Sequence, residues 1–278
     1  MPARRTLKGL LLLCLLVGSL LACNVLPSVS YNGTPITTPS TPATTAGQST
    51  PTLNVWSRLA PGVELRYEDW KSPGNNEDTV IITRFDLHRV HLSIGYQPNQ
   101  PLQMSTWMKQ TGALALINGG YFDTQNQATS LVIANGHTSG TSYNGFGGMF
   151  SVDEQGHVEL RSLHEQPYDP STEQLQYATQ SAPMLIVNGK RTQFNANAAS
   201  QRRSIIAMDK QGRLLFIVSP GQAFSLDETA DLLSSSDLSL ETALNLDGGA
   251  STGLYVHAGG QQVAIDPITP IPIVIIVK

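Results

Sequence analysis

Apolar and polar positions from about residue 54 to the end fall into short β-rich runs separated by turn clusters, with few stretches long enough for a helix. The runs predict strands at Val63 to Tyr67, Val80 to Leu87, Val90 to Tyr96, Ala113 to Ile117, Leu131 to Ala134 and Gly148 to Val152. They continue at Met184 to Val187, Ser204 to Met208, Leu214 to Val218, Ala243 to Leu246, Leu254 to Val256 and Ile273 to Val277. Two helices fit between them, Ser105 to Gln110 and Leu226 to Ser234. The second carries its own start signal. Ser225-Leu226-Asp227-Glu228 matches a capping box, in which the Ser and Glu side chains satisfy each other's backbone donors. No period of about 20 to 50 residues repeats, which excludes solenoids and propellers. Strands dominate and helices are interspersed, so the expected class is α+β: a mixed, strand-rich sheet in a single domain spanning 54–278.

The first 53 residues follow a different pattern. Arg4, Arg5 and Lys8 precede an almost wholly apolar run over residues 10–22, closed by Leu20-Leu21-Ala22-Cys23. This is a signal peptide, residues 1–23, and its apolar run falls short of the roughly 20 residues a membrane-spanning helix needs. A small residue just before a Cys resembles the lipobox of bacterial lipoproteins. The resemblance makes Cys23 the lipidated first residue of a cell-surface lipoprotein, or leaves a secreted chain if Cys23 is not lipidated. The adjacent arginines also suit twin-arginine export.

Between Lys8 and Arg58 there is no charged side chain, and residues 27–52 hold five Pro, eight Thr and four Ser. Such a segment cannot bury enough surface to offset chain entropy, so residues 24–53 read as a disordered, semi-extended tether or a glycosylated stalk.

Charge and cysteine usage then narrow the partners. The formal net charge is -4, and removing the signal peptide's three cations leaves an acidic chain at -7. It lacks the basic footprint of a nucleic-acid binder. The two cysteines are Cys14, inside the removed run, and Cys23, so the mature chain has one thiol and no intrachain disulfide. A domain of about 220 residues can stand on its hydrophobic core instead.

Two glycine-rich strand ends carry the candidate chemistry. Ile117-Asn118-Gly119-Gly120-Tyr121-Phe122-Asp123 runs an apolar strand into Asn, paired glycines and aromatics. Leu244-Asn245-Leu246-Asp247-Gly248-Gly249-Ala250-Ser251-Thr252 delivers a carboxylate into a glycine turn followed by two hydroxyls. Each alone also reads as a hairpin turn. Together they offer a rigidly held carboxylate with backbone amides free to donate nearby.

In the order Asn118-Gly119-Gly120-Tyr121-Phe122, Ser181-Ala182-Pro183-Met184, Arg202-Arg203-Ser204 and Asn245-Leu246-Asp247-Gly248-Gly249, the chain resembles the phosphodiester glycosidase family over residues 80–278. The best-known member of that family removes N-acetylglucosamine from a phosphodiester-linked mannose. Ala250 stands where a third glycine is usual, and Ser204 where Thr is commoner.

The resemblance implies a hydrolase of glycosyl phosphodiesters in envelope or extracellular glycans. The departing group would be a phosphate monoester, which needs less acid assistance than an alcohol. Arg203 is the candidate grip on the phosphate, because guanidinium matches phosphate oxygens bidentately. Asp247 is the candidate base or nucleophile. Glu228 is a possible second carboxylate, for which the capping box gives an equally good structural account. Asn118, Asn245, Ser251 and Thr252 would bind sugar hydroxyls or phosphate, and Gly119, Gly120, Gly248 and Gly249 would supply close backbone. Tyr121 suits either a sugar face or the core. Arg202 alternates to the opposite face and reads as a solvated charge.

The six histidines show no metal spacing. No cofactor is required, and a Ca²⁺ or Mg²⁺ site on Asp123 and Asp247 would rest on two scattered carboxylates. The rival class is a non-catalytic glycan-binding or polysaccharide-assembly lipoprotein using the same pocket.

Overall fold

Nine consecutive register pairs join Val63–Lys71 to Glu77–Phe85, from Val63 opposite Phe85 to Lys71 opposite Glu77. Side chains alternate across a strand, so Val63 and Leu65 enter one core while Trp70 enters another. The same division organises the molecule. In the computed structural model, which describes residues 51–195 and 199–278, residues 49–278 make up one unit. The expected signal peptide, Cys23 and the expected tether up to residue 50 lie outside the described residues.

An eight-stranded sheet runs in the order Ser57–Ala60, Val63–Lys71, Glu77–Phe85, Leu214–Phe224, Gln201–Asp209, Leu240–Asn245, Met184–Val187, Lys190–Arg191. A second sheet orders His137–Ser139, Val132–Ala134, Leu175–Ser181, Gly148–Asp153 and Val158–Ser162. The third orders Gln261–Ile265, Leu254–Ala258, Ala115–Asn118, Ile273–Val277 and Leu92–Tyr96. Every ladder between these strands is antiparallel, a narrower result than the mixed sheet expected.

One core lies between the three sheets. Ile206, Phe216 and Val218 of the large sheet meet Val132, Phe150 and Leu160 of the second and Ile94, Ile117 and Ile275 of the third. Ile205, Ala207, Leu215 and Ile217 point the other way, against Ala230 and Leu233 of the helix Leu226–Ser235. The helix Met104–Thr111 places Met104 and Trp107 on Leu116, Val274 and Ile276, the outer face of the third sheet. The central strands are therefore covered on both faces, which explains their continuous apolar runs.

Phe216 has no solvent exposure and meets Phe85 edge-on at 4.9 Å between centroids. Phe216→Ala is expected to cost about 3–5 kcal/mol, read as a lower denaturant midpoint with an unchanged slope.

All the expected strands and both helices are present, with ends shifted by a few residues. The capping box is formed as the sequence indicated: the Glu228 amide donates to Ser225 Oγ at 3.2 Å, and the Ser225 amide donates to Glu228 Oε2 at 2.9 Å. The sequence pattern missed Ser57–Ala60, His137–Ser139, Val158–Ser162, Leu175–Ser181, Lys190–Arg191 and Gln261–Ile265. Leu175–Ser181 shows why. Thr179, Gln180 and Ser181 are fully buried despite their polarity, so hydropathy disguised an interior strand.

Candidate active site

The strands Ala115–Asn118 and Leu240–Asn245 belong to different sheets, yet their glycine-rich ends are joined. The Asp247 amide donates to the Gly119 carbonyl at 3.1 Å, and Asn118 Nδ2 donates to the Asp247 carbonyl at 2.7 Å. Asn118 Oδ1 accepts from Ser204 Oγ at 2.7 Å and from the Gly253 amide at 3.1 Å. Its remaining amide hydrogen points to the Gly119 carbonyl at 3.3 Å. Asn118 was expected to bind sugar. The structure instead commits its donors and acceptors to holding the two motifs in register.

The paired glycines serve the same joint. A Cβ on Gly120 would stand 2.1 Å from the Gln180 carbonyl oxygen, so any side chain there would push the Leu175–Ser181 strand away. The Gly119 and Gly120 amides are directed to the Ile273 carbonyl and to Thr179 Oγ1. They are taken up by protein and do not offer the close backbone contact to a ligand that was expected. Gly249 opens the short turn Gly249–Ser251 at φ +59°, a conformation that glycine adopts without a Cβ penalty. Ala250, the departure from the family pattern, has no positive φ, is exposed, and gives its carbonyl to the Ile268 amide at 2.7 Å. Ser204, the other departure, supplies a hydroxyl to Asn118, as Thr would.

This turn places Asp247 where burial pushes its carboxyl up to about 6, while the Ser251 hydroxyl and the Gly248 amide pull it part of the way back. Ser251 thus attends the carboxylate. Thr252 Oγ1 and Asn245 Oδ1 are buried without partners among the described residues. Asn245 Nδ2 donates to Tyr121 Oη at 2.9 Å and to the Ala182 carbonyl at 3.0 Å, and Tyr121 Oη donates to the same carbonyl at 2.7 Å. Tyr121 is neither wholly core nor free: its phenol is pushed up to about 12 by burial and by the charge of Asp247, with Arg203 acting in the opposite sense.

Arg203 is 7% exposed, and its Nε and Nη2 donate to the carbonyls of Phe224 at 3.0 Å and Ala199 at 2.9 Å. Nη1, 4.0 Å from where a Gly248 Cβ would stand, has no hydrogen-bond partner among the described residues. Burial lowers the pKa of Arg203, and Tyr121 opposes that shift. The anchoring depends on a bulge. Gln201 pairs with Phe224 but Arg203 with Ser219, so residues 220–223 loop out. Asp78 pins this loop by accepting from Ser219 Oγ and from the Gly221 amide, the latter at 2.8 Å.

Arg202, expected as a solvated charge, donates to the Pro220 carbonyl and the Asp266 carbonyl, both at 3.0 Å. It ties the bulge to the loop beyond Ile265.

Glu228 does not join this group. Oε2 accepts from the Ser225 amide and hydroxyl, and Oε1 from Asn76 Nδ2 at 3.1 Å. The backbone bond from Ser225 leads the causes that lower its carboxyl to about 2, the reverse of what a general acid needs. Glu228→Gln can still close the capping box, so it is expected to lower stability by only about 0.3–1 kcal/mol, the worth of a carboxylate at a helix N-terminus, and to leave any turnover within a few-fold of wild type. Because the folded-state value is depressed, the carboxylate's contribution is present above the unfolded value near 4.3 and lost as pH falls towards 2. Thermal unfolding across that window checks the sign.

Asp123 is exposed, and its Oδ1 caps its own turn by accepting from the Gln125 and Gln127 amides. No hydrogen bond or ion pair links it to Asp247 among the described residues. A cation shared by these two carboxylates gains no support from this geometry.

Beside Tyr121 opens a cavity of about 720 Å³, walled by Phe146, His164, Glu165, Ala182 and Phe194 among others. Asp247 and Arg203 are not in its wall, although both act on the Tyr121 phenol that is. The sequence reading missed Phe146, His164, Glu165 and Phe194 because they sit on loops without a motif. Only the glycines at 145 and 147, flanking an aromatic, hinted at that surface.

Fold and site together define a strand-rich α+β domain in which one partly buried carboxylate and one anchored guanidinium both act on the phenol of Tyr121 beside joined strand ends. The family model for phosphodiester glycosidase matches residues 111–278, and the chain belongs to that family. A similar solved structure is the zebrafish N-acetylglucosamine-1-phosphodiester alpha-N-acetylglucosaminidase catalytic domain, auto-inhibited by its pro-peptide. It is 20% identical, with a TM-score of 0.62, over 79% of this chain and 86% of that one. A protein from Synechocystis is 16% identical with a TM-score of 0.56, over 78% of this chain and 62% of its own. A protein from Burkholderia pseudomallei K96243 is 12% identical with a TM-score of 0.51, over 73% and 74%. These likenesses establish the fold. No curated protein sequence matches the chain.

Proposed function

We propose that this protein hydrolyses the sugar-phosphate bond of glycosyl phosphodiesters, such as N-acetylglucosamine-1-phosphodiesters, in envelope or extracellular glycans, anchored through a lipid on Cys23. The observation that carries the reading is the joint between the two strand ends, which places a carboxylate of raised pKa beside the phenol that Arg203 also influences. Arg203 Nη1 is the donor left for a phosphate oxygen.

In the simplest course, water attacks the anomeric carbon and gives its proton to Asp247 as the bond to the phosphate oxygen breaks. The electron pair leaves on a phosphate monoester, a weak base, so a second carboxylate acting as acid is dispensable. A covalent glycosyl-Asp247 intermediate is the alternative course. Tyr121, Asn245 and the Ala182 carbonyl support the site as a hydrogen-bonded group. Ser251 and Gly248 hold the Asp247 carboxylate in place.

The test is release of N-acetylglucosamine from its 1-phosphodiester by the full chain. Turnover lost in folded Asp247→Asn supports the enzyme. Absence of turnover across a panel of glycosyl phosphodiesters, with Arg203-dependent binding of sugar phosphates retained, supports the glycan-binding rival.

A further inference from the structure

The cavity beside Tyr121 has a chemistry unlike that of the Asp247 and Arg203 pair. Among the described residues no Lys or Arg lines it, the Arg191 guanidinium lying 5.7 Å from the Phe194 ring and paired with Asp227 and Asp231, and Glu165 adds a negative charge. Phe146 is 53% exposed, yet its ring is braced against Tyr143 at 4.5 Å between centroids and 29° between planes. An aromatic ring held rigid with a face left bare to a cavity is suited to the apolar face of a flat, hydroxyl-rich ligand.

The polar groups around that face both accept and donate, since Glu165 is joined in the wall by the Ser162 hydroxyl and the Gln193 and Asn195 amides. His164 Nδ1 lies 3.1 Å from the Gly145 carbonyl, which can only accept, so Nδ1 carries a proton and Nε2 is the ring nitrogen left for a ligand. The Glu165 carboxylate is steadied by Asn188 Nδ2, 3.3 Å from each oxygen. Thr192, which also lines the cavity, gives its hydroxyl to backbone carbonyls of the Met184–Val187 strand. An aromatic face set among hydrogen-bond donors and acceptors suits an uncharged ligand rich in hydroxyls, which can do both. A volume of about 720 Å³ lies within the roughly 300–1,000 Å³ usual for small-molecule sites.

We propose that this cavity is a carbohydrate subsite for a neutral pyranose ring, stacked on Phe146 and hydrogen-bonded by His164 and Glu165. Asp247 and Arg203 are absent from its wall, so the ring it holds is not one joined to the scissile phosphate but one further along the glycan. The substrate is then an oligosaccharide rather than a single sugar phosphate. This step rests on the glycosidase reading for its direction, but the subsite itself is separable from turnover.

The experiment uses the full chain carrying Asp247→Asn, titrated calorimetrically with neutral di- and trisaccharides of glucose, galactose, mannose and N-acetylglucosamine. At least one is expected to bind, and adding Phe146→Ala to weaken that binding tenfold or more, with Glu165→Gln weakening it less. Phe146 is half exposed, so its removal is expected to leave thermal unfolding unchanged. In the chain with Asp247 intact, Phe146→Ala is expected to raise KM for an extended glycosyl phosphodiester and to leave kcat unchanged. A methyl phosphodiester of a single sugar should be indifferent to the change. Failure of every neutral saccharide to bind, or binding that Phe146→Ala leaves intact, overturns the subsite even if the enzyme is active. Saccharide binding without turnover on any phosphodiester sustains the subsite and removes the glycosidase.

Discussion

Asp247→Asn is expected to lower sugar release from a glycosyl phosphodiester by about 10²–10⁴-fold, the usual worth of a positioned proton acceptor. Asn is nearly isosteric and can still accept from the Gly248 amide and the Ser251 hydroxyl, so the turn that holds it should persist. Only the charge is lost. The pH profile makes the prediction specific. With the carboxyl pushed up to about 6 by burial, wild-type turnover should rise with pH through that value, and any residue of activity in Asp247→Asn should lack that limb.

Stability gives an independent check with the opposite slope. A carboxyl whose folded pKa is raised binds its proton more tightly in the native state. Its favourable contribution is full below the unfolded value near 3.9 and lost as pH rises through about 6. Asp247→Asn should flatten the stability profile over that window. An unchanged pH-rate profile in the variant would remove Asp247 from the chemistry.

Arg203→Ala is the second large effect. Removing one partner of a buried charge interaction costs about 2–5 kcal/mol, so kcat/KM should fall by about 30-fold to several thousand-fold. Part of the change is structural, because the Phe224 and Ala199 carbonyls lose their donor. Arg203→Lys separates the parts: it keeps the charge but cannot serve two carbonyls and a phosphate oxygen at once. Activity below a tenth of wild type in Arg203→Lys, with thermal unfolding little changed, assigns the guanidinium fork to phosphate. Near-normal kcat/KM in that variant would leave Arg203 a brace for the bulge. Asp78, which pins the bulge through Gly221, should share only the bracing effect.

Strands such as Met184–Val187 and Ile273–Val277 were legible to the residue, because their apolar runs are flanked by turn residues and buried on both faces. The capped helix at Leu226–Ser235 was equally legible, since a capping box is a contact between residues three apart. Strands with a polar or exposed sequence, among them Leu175–Ser181 and Gln261–Ile265, carry no such local signature. Their pairing is decided by neighbours far along the chain.

The candidate site divides along the same line. The sequence by itself singled out the candidate residues: a carboxylate and paired glycines after one strand, Asn and paired glycines after another, and a guanidinium between them in order. It also established the strand-rich class and the acidic net charge. Tertiary structure decided what each side chain has left to give. Asn118 and Glu228 look like ligands in the sequence, but in the fold their polar atoms are satisfied by Asp247, Ser204 and Gly253, and by Ser225 and Asn76. The exposed face of Phe146 and the polar atoms of His164 and Glu165 converge only because loops far apart in the chain meet beside Tyr121. Residue type is local, whereas burial and hydrogen-bond partnership belong to residues brought together across 60 to 130 positions of chain, and that pairing sets which groups stay free for a ligand.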